Sequence, residues 1–377
     1  MLYHTGESVS KRKSVDWGGF SMTDAAGRDA ANGAAAAAVP PSGPPLGRGD
    51  VLGDYQALQE TVGVARKPAD HVDVCGADRA KFLHNFCTNE IVKLPVGRGC
   101  EAFFLNPKGK IVDYGVIYAW DDRLSIELEP GRGAAMVRHL DRFHFREDVK
   151  MSDRSSELAS LFVSGPKAAD LLAAVADGWR GPMEELQAAS IPVAGRTCRI
   201  QRWDRSVRPG YTLVVAAADA DAVWSEVVQA CAQLRGRPVG PEALEIARIE
   251  AGLPRMGREA TEDNLPQEIG RDARTISFTK GCYIGQETVA RLDAYGHVNK
   301  LLRGLVADVQ APICAGQTVE RDGKAIGAVA SAADSPALGR RVATAVLRTA
   351  GAEPGTSVFV RTDAGPTPAT VAALPFV

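Results

Sequence analysis

A chain of 377 residues with a formal net charge of -2, 45% hydrophobic and 24% charged, is long enough for two or three domains and carries no basic footprint for direct nucleic-acid binding. No apolar run approaches the roughly 20 residues that cross a bilayer, and the N-terminus lacks the apolar core of a secretory signal, so no membrane association is expected. The seven cysteines (Cys75, Cys87, Cys100, Cys198, Cys231, Cys282 and Cys314) are odd in number, scattered and without a CxxC pair, which argues against a disulfide framework and a zinc site and suits a cytoplasmic protein.

Residues 1–50 differ from the rest. An alanine run over 34–38 precedes Pro40, Pro41, Pro44 and Pro45, with few large apolar side chains to offset chain entropy, and the stretch reads as a flexible tail. A short helix is expected over 54–61, then a strand over 71–75 closed by Gly76. Asp78 is placed to cap a helix carrying Phe82, Leu83 and Phe86 at helical spacing. Two β-rich runs, 101–105 and 111–120, flank the turn signal Asn106-Pro107-Lys108-Gly109 and predict a hairpin. The sheet continues over 124–128, with a helix over 132–143. A second α/β unit, 151–240, has strands over 160–164, 199–203 and 211–216 and helices over 167–176 and 220–234. A helix over 241–252 returns the chain to the first unit, so that 51–150 with 241–300 form one α/β core. Over 301–377 short strands alternate with Gly, Pro and Asp, the rhythm of a small antiparallel β-barrel. The fold class expected is α+β.

The densest chemical signal is Lys280-Gly281-Cys282-Tyr283-Ile284-Gly285-Gln286-Glu287. Two glycines bracket a cysteine just ahead of a run of helix formers, so Cys282 is expected near a helix N-terminus, where the positive helix end and Lys280 favour a thiolate. The plainer alternative is a buried structural cysteine in a tight turn. His84 and Cys87, three apart, are read as core residues rather than a metal site. Asp113 lies within an apolar strand. A carboxylate there is costly to bury unless paired or used, and burial raises its pKa toward a range suited to proton transfer. Trp203, Tyr211 and Tyr283 are flat enough to stack on a heterocycle and are equally ordinary as core residues.

Residues 280–287 resemble the K-G-C-Y-x-G-Q-E signature of the YgfZ family. The flanking Asn264-Leu265-Pro266-Gln267-Glu268, Ala290-Arg291 and Gly296-His297-Val298-Asn299-Lys300 resemble its neighbouring segments. Leu105 to Asp113 resembles the L-N-x-x-G-x-(I/V)-(I/L)-D stretch of the glycine-cleavage T-protein, and Arg248-Ile249-Glu250-Ala251-Gly252 its R-L-E-A-G helix. The resemblance covers most of 51–377. It implies the T-protein fold, two α/β domains and a C-terminal barrel, with tetrahydrofolate bound in the middle. It also implies site residues: Glu250 holding the pterin, Asp113 activating the folate nitrogen, Arg291 meeting the glutamyl carboxylate, and Lys280, Tyr283, Gly285 and Gln286 shaping the cofactor site around Cys282.

Three functions follow. The first is a tetrahydrofolate-binding factor that assembles or repairs iron–sulfur clusters in client enzymes, with assembly proteins as partners and Cys282 as a working thiolate or shared cluster ligand. The second is an aminomethyltransferase of glycine cleavage, which relies on Asp113 and does not need Cys282. The third is a folate-binding module that acts on tRNA modification through an iron–sulfur client. The cysteine motif favours the first. The segment Pro241 to Glu245, which lacks the T-protein's A-R-D-T approach, agrees with it.

Overall fold

A computed structural model describes residues 50–377; the tail expected over 1–50 lies, but for Asp50, outside the described residues. Two sheets and a closed barrel organise them. The first sheet has five strands, ordered Gly99–Leu105, Ile111–Ala119, Arg123–Leu128, Asp70–Cys75 and Lys150–Asp153. The second has six, ordered Arg237–Pro238, Gly63–Arg66, Leu158–Ser164, Gly210–Ala216, Arg196–Arg202 and Ala188–Val193. Six antiparallel strands between Lys300 and Ala372 close the barrel, whose interior holds Leu305, Val319, Ala345, Leu347, Val358 and Val360. The expected α+β class and C-terminal barrel are therefore present.

Each sheet buries one face under helices. On the first, Val72, Val74, Leu124, Ile126 and Ile117 pack with Phe82 and Leu83 and with Met136 and Leu140 of the helix Gly133–Asp141. On the second, Val64, Leu161, Val163, Ile200 and Leu213 pack with Leu171 and Leu172 and with Val223, Val227 and Cys231 of the helix Ala220–Gln233. Period-2 alternation on the strands and a three-to-four-residue spacing on the helices produce both layers. Alternation also dictates that His71, Asp73, Ser125 and Glu127 of the first sheet, and Ser160, Phe162, Arg199, Gln201 and Thr212 of the second, lie on the opposite faces. Those two faces meet: the His71 Nε2 lies 2.7 Å from the Ser160 Oγ, and Arg199 lies 3.4 Å from Asp73.

Some details differ from the sequence-based expectation. Asp78 does not cap its helix. Its Oδ2 instead accepts from the Asp148 N–H at 2.9 Å, and the helix is a short Arg79–His84 that leaves Phe86 beyond its end. Gly63–Arg66 lies within 51–150 in sequence yet pairs in the second sheet, Val64 opposite Val163. Lys150–Asp153 pairs with Asp70–Cys75 in the first. Both are four-residue strands, too short to carry a legible alternation.

Candidate functional site

The cysteine loop is a tightly specified piece of backbone. Gly285 precedes the helix Gln286–Tyr295 with φ 80°, and a Cβ there would lie 2.7 Å from the Asn106 carbonyl oxygen and 2.9 Å from the Gly109 Cα. Only glycine accepts both the left-handed conformation and the approach. The loop is thereby seated on the Asn106–Gly109 turn, and Thr288 adds a hydrogen bond to the Lys108 carbonyl at 3.2 Å. Lys280 is buried, and its ammonium donates to the carbonyls of His84 (2.6 Å), Cys87 (2.8 Å) and Asn89 (2.7 Å). The Tyr283 ring covers it at 4.8 Å. Burial lowers the Lys280 pKa and raises that of Tyr283 to about 12. Cys282 itself is exposed.

Lys280, expected to shape the cofactor site, is placed with its ammonium inside the 84–89 segment. Its three donors are all used by backbone, so it is a clamp on the loop and has none left for a cofactor. Tyr283 belongs to the apolar core beneath the loop, and the Lys280 ammonium sits over its ring. Gln286 is half-buried at the helix start and Arg291 is exposed on the helix. His84 and Cys87 are buried as expected, and no group of three potential metal-ligating side chains occurs among the described residues.

Asp113 stands on the strand Ile111–Ala119, one arm of the hairpin that the cysteine loop caps. It is 1% exposed. Its Oδ2 accepts from the Arg132 Nε at 3.0 Å and its Oδ1 from the Tyr114 N–H at 2.9 Å. Burial dominates over the opposing Arg132 cation and lifts the pKa to about 6. The expected raised carboxyl is present. Glu129 adds to it and joins an ion-pair chain, lying 3.1 Å from Arg255, which is 3.3 Å from Glu245, itself 2.8 Å from Arg248.

Glu250 ends the helix Pro241–Glu250, which Pro241 starts at its first turn. Its carboxylate is 1% exposed and both oxygens are engaged, by the Tyr55 hydroxyl at 2.7 Å and the Ser335 hydroxyl at 2.5 Å. It ties the helix Val51–Glu60 and the barrel strand Lys324–Ser335 to its own helix. No hydrogen bond or ion pair among the described residues joins Glu250, Asp113 and Cys282 to one another.

A region missed from the sequence lies between the sheets. Five buried polar atoms there have no partner: Ser164 Oγ, Gln201 Oε1, Trp203 Nε1, Arg205 Nε and Thr212 Oγ1. They are neighbours. Thr212 is opposite Gln201 and Gly210 is opposite Ser164 in the strand pairing, the Trp203 backbone N–H bonds the Gly210 carbonyl at 3.0 Å, and the Arg205 guanidinium lies 3.9 Å over the Trp203 ring. Buried orphaned groups at this density call for water or a polar ligand. Across from them stand Tyr114, whose ring is 6.4 Å from Trp203, and Glu127, 4% exposed and paired with Arg205 and Lys67. The donor and acceptor mix beside aromatic rings suits a flat, polar heterocycle such as a pterin. In sequence these positions look like the solvent-facing half of an antiparallel sheet, so only the strand pairing reveals them. Of the aromatics considered, Trp203 belongs to this buried polar cluster, while Tyr211 lies in the core on the helical side.

Residues 49–280 match the family described as the GCVT N-terminal domain, and 300–377 match the glycine cleavage T-protein C-terminal barrel domain. An aminomethyltransferase of Streptomyces avermitilis is 28% identical over 95% of this chain and 94% of its own length. The aminomethyltransferase of Bacillus subtilis is 27% identical over 77% of this chain and 80% of its own. The crystal structure of the glycine cleavage system aminomethyltransferase T from Bartonella henselae superposes with a TM-score of 0.77 at 21% identity, covering 87% of this chain and 89% of that one, which is a likeness of fold. With 49–280 matching the first of these families, and the closed barrel matching the second, the chain belongs to the glycine-cleavage T-protein family.

Proposed function

We propose that this protein binds tetrahydrofolate in the chamber between its two sheets and acts in the cytoplasm in the assembly or repair of iron–sulfur clusters of client enzymes, in the manner of the YgfZ family, with Cys282 as its working thiol. The observation that carries this reading is the exposure of Cys282 on a loop fixed at both ends, by the caged Lys280 on one side and by Gly285 against the Asn106–Gly109 turn on the other. A thiol exposed on so tightly held a loop supports thiolate chemistry or cluster handling. The cluster is cargo here, shared with a partner, because one thiolate is too few to hold it alone.

Tetrahydrofolate, when bound, supplies a pair of nitrogens able to carry a one-carbon unit. The protein's own contribution is to hold the heterocycle with Gln201, Thr212, Trp203 and Glu127 and to exclude water between the sheets.

The second reading, aminomethyl transfer in glycine cleavage, is the one that the names of the relatives favour, and the raised Asp113 carboxyl supports it. Identity near 28% leaves room for either reaction on one fold. Deleting the gene, restoring it as wild type or Cys282→Ala, and assaying iron–sulfur enzymes and glycine cleavage in the same extracts separates the two. Cluster-enzyme activity rescued by wild type alone supports the first reading. Lost glycine cleavage restored equally by both versions sinks it in favour of the second.

A further inference from the structure

Two lysines, Lys280 buried and Lys67 half-buried, are treated in opposite ways. Lys280 has a carbonyl for each of its three protons. The ammonium of Lys67 makes no hydrogen bond among the described residues; its one ion-pair neighbour is the Glu127 Oε1, at 3.9 Å. The place of Lys67 is set by the sheet. Its N–H bonds the Ser160 carbonyl at 3.0 Å, continuing the pairing of Gly63–Arg66 with Leu158–Ser164. Val62 and Val64 face the helical side, so alternation turns Lys67 to the chamber face with Ser160 and Phe162. Thr212 lies two strands away on the same face, across Leu158–Ser164, and Gln201 one strand further.

Glu127 is the complement. Its Oε1 accepts from the Arg205 Nη2, and its Oε2 makes no hydrogen bond among the described residues although the residue is 4% exposed. Burial pushes its pKa up, but the Arg205 and Lys67 cations and His71 outweigh this and hold the carboxyl below the usual range, so it is ionised. A spare cationic donor and a spare anionic acceptor thus stand side by side, next to aromatic rings. The carboxylate with the better claim by sequence, Glu250, already has both oxygens taken by Tyr55 and Ser335.

We propose that Lys67 and Glu127 are the ligand-reading pair of the chamber: the Lys67 ammonium donates to a ring carbonyl oxygen and the free Glu127 oxygen accepts from the adjoining ring N–H, together reading the lactam edge of a reduced pterin. The inference rests on the folate reading above and names the groups that carry it. A lactam presents acceptor and donor on adjacent atoms, and the pair presents their complement. The two contacts are charge-assisted, and without a ligand the ammonium and the Oε2 make no hydrogen bond among the described residues.

The test is isothermal titration of tetrahydrofolate, under reducing anaerobic conditions, into wild type, Lys67→Met and Glu127→Gln, with circular dichroism to check that each variant folds. Acetylation of wild-type lysines by an activated acetate ester, read by mass spectrometry with and without saturating tetrahydrofolate, needs no variant. We expect affinity to fall about tenfold or more in each variant. We expect bound ligand to slow acetylation at Lys67 and to leave the exposed Lys108 unchanged. Binding by wild type with no protection at Lys67, or unchanged affinity in Lys67→Met, overturns this inference alone. Absence of binding by wild type overturns it together with the folate reading.

Discussion

The Nζ of Lys280 lies 2.6 Å from the carbonyl oxygen of His84, 196 residues earlier in the chain. With the Cys87 and Asn89 carbonyls, that contact closes the 84–89 segment around the cysteine loop. The same ammonium that the sequence offers as an electrostatic partner for Cys282 is therefore a structural plug.

Replacing Lys280 with Met removes all three donors and leaves buried carbonyls unpaired, and we expect a loss of about 3 kcal/mol in urea unfolding. Lys280→Arg should not rescue it, because a planar fork does not fit three converging carbonyls. A Lys280→Met protein as stable as wild type contradicts the clamp.

Gly285→Ala tests the other end of the loop. The added Cβ meets backbone atoms at 2.7 and 2.9 Å, and φ 80° is strained for any L side chain. The expected cost is about 2–4 kcal/mol, felt first as faster hydrogen exchange over 280–292 while the barrel keeps its protection. Uniform destabilisation with no local signature contradicts the seating of the loop on the turn.

Thiol accessibility gives a direct check of the cysteine assignment. Cys282 and Cys314 are exposed, Cys75 is half-buried, and Cys87, Cys100, Cys198 and Cys231 are buried. An aromatic disulfide reagent should titrate two thiols quickly in the native protein, one after Cys282→Ser, and the buried four only on unfolding. Rapid loss of only one thiol, unaffected by Cys282→Ser, means that the loop hides its cysteine.

These cases mark what could be read in the sequence. The hairpin of 99–119 was legible because its apolar runs flank a strong turn signal, and the helix carrying Val223, Val227 and Cys231 because its spacing is regular. Asp113 was legible as a carboxylate among β-branched neighbours. The roles of Lys280 and Glu250 were not, because each is decided by partners from distant segments, His84 and Asn89 in one case and Tyr55 and Ser335 in the other. The chamber was hidden for a related reason. Gln201, Thr212 and Glu127 alternate with apolar neighbours as solvent-facing residues do, and only the meeting of two polar sheet faces buries them.

Asp113 makes stability depend on pH with a definite sign. Its folded pKa of about 6 exceeds its ordinary 3.8, so the folded protein binds the proton more tightly. The cost of ionising it is absent below pH 3.8, grows through the interval and is complete above about 6. Urea unfolding of wild type and Asp113→Asn at pH 4 and pH 7 should therefore differ in the variant's favour by about 2–3 kcal/mol more at the higher pH. A difference that does not change with pH means that the carboxyl has its ordinary affinity for protons.

Lys67 gives the opposite window. Burial, with the Arg205 cation, lowers its pKa from 10.5 to about 8 against the attraction of Glu127 and Glu129, and Arg255 adds to the lowering. The unfolded chain then holds the proton more tightly. The cost of burying the charged amine is complete below pH 8, shrinks as pH rises and vanishes near 10.5. Lys67→Met should accordingly be more stable than wild type at pH 7, by about 1–3 kcal/mol, with the gap narrowing from pH 8 upward. A residue retained at the expense of stability is expected where the charge meets a ligand. Saturating tetrahydrofolate should therefore close the gap at pH 7 by stabilising wild type more than the variant, read as the shift in melting temperature of each. Equal shifts in the two proteins separate the buried charge from ligand binding.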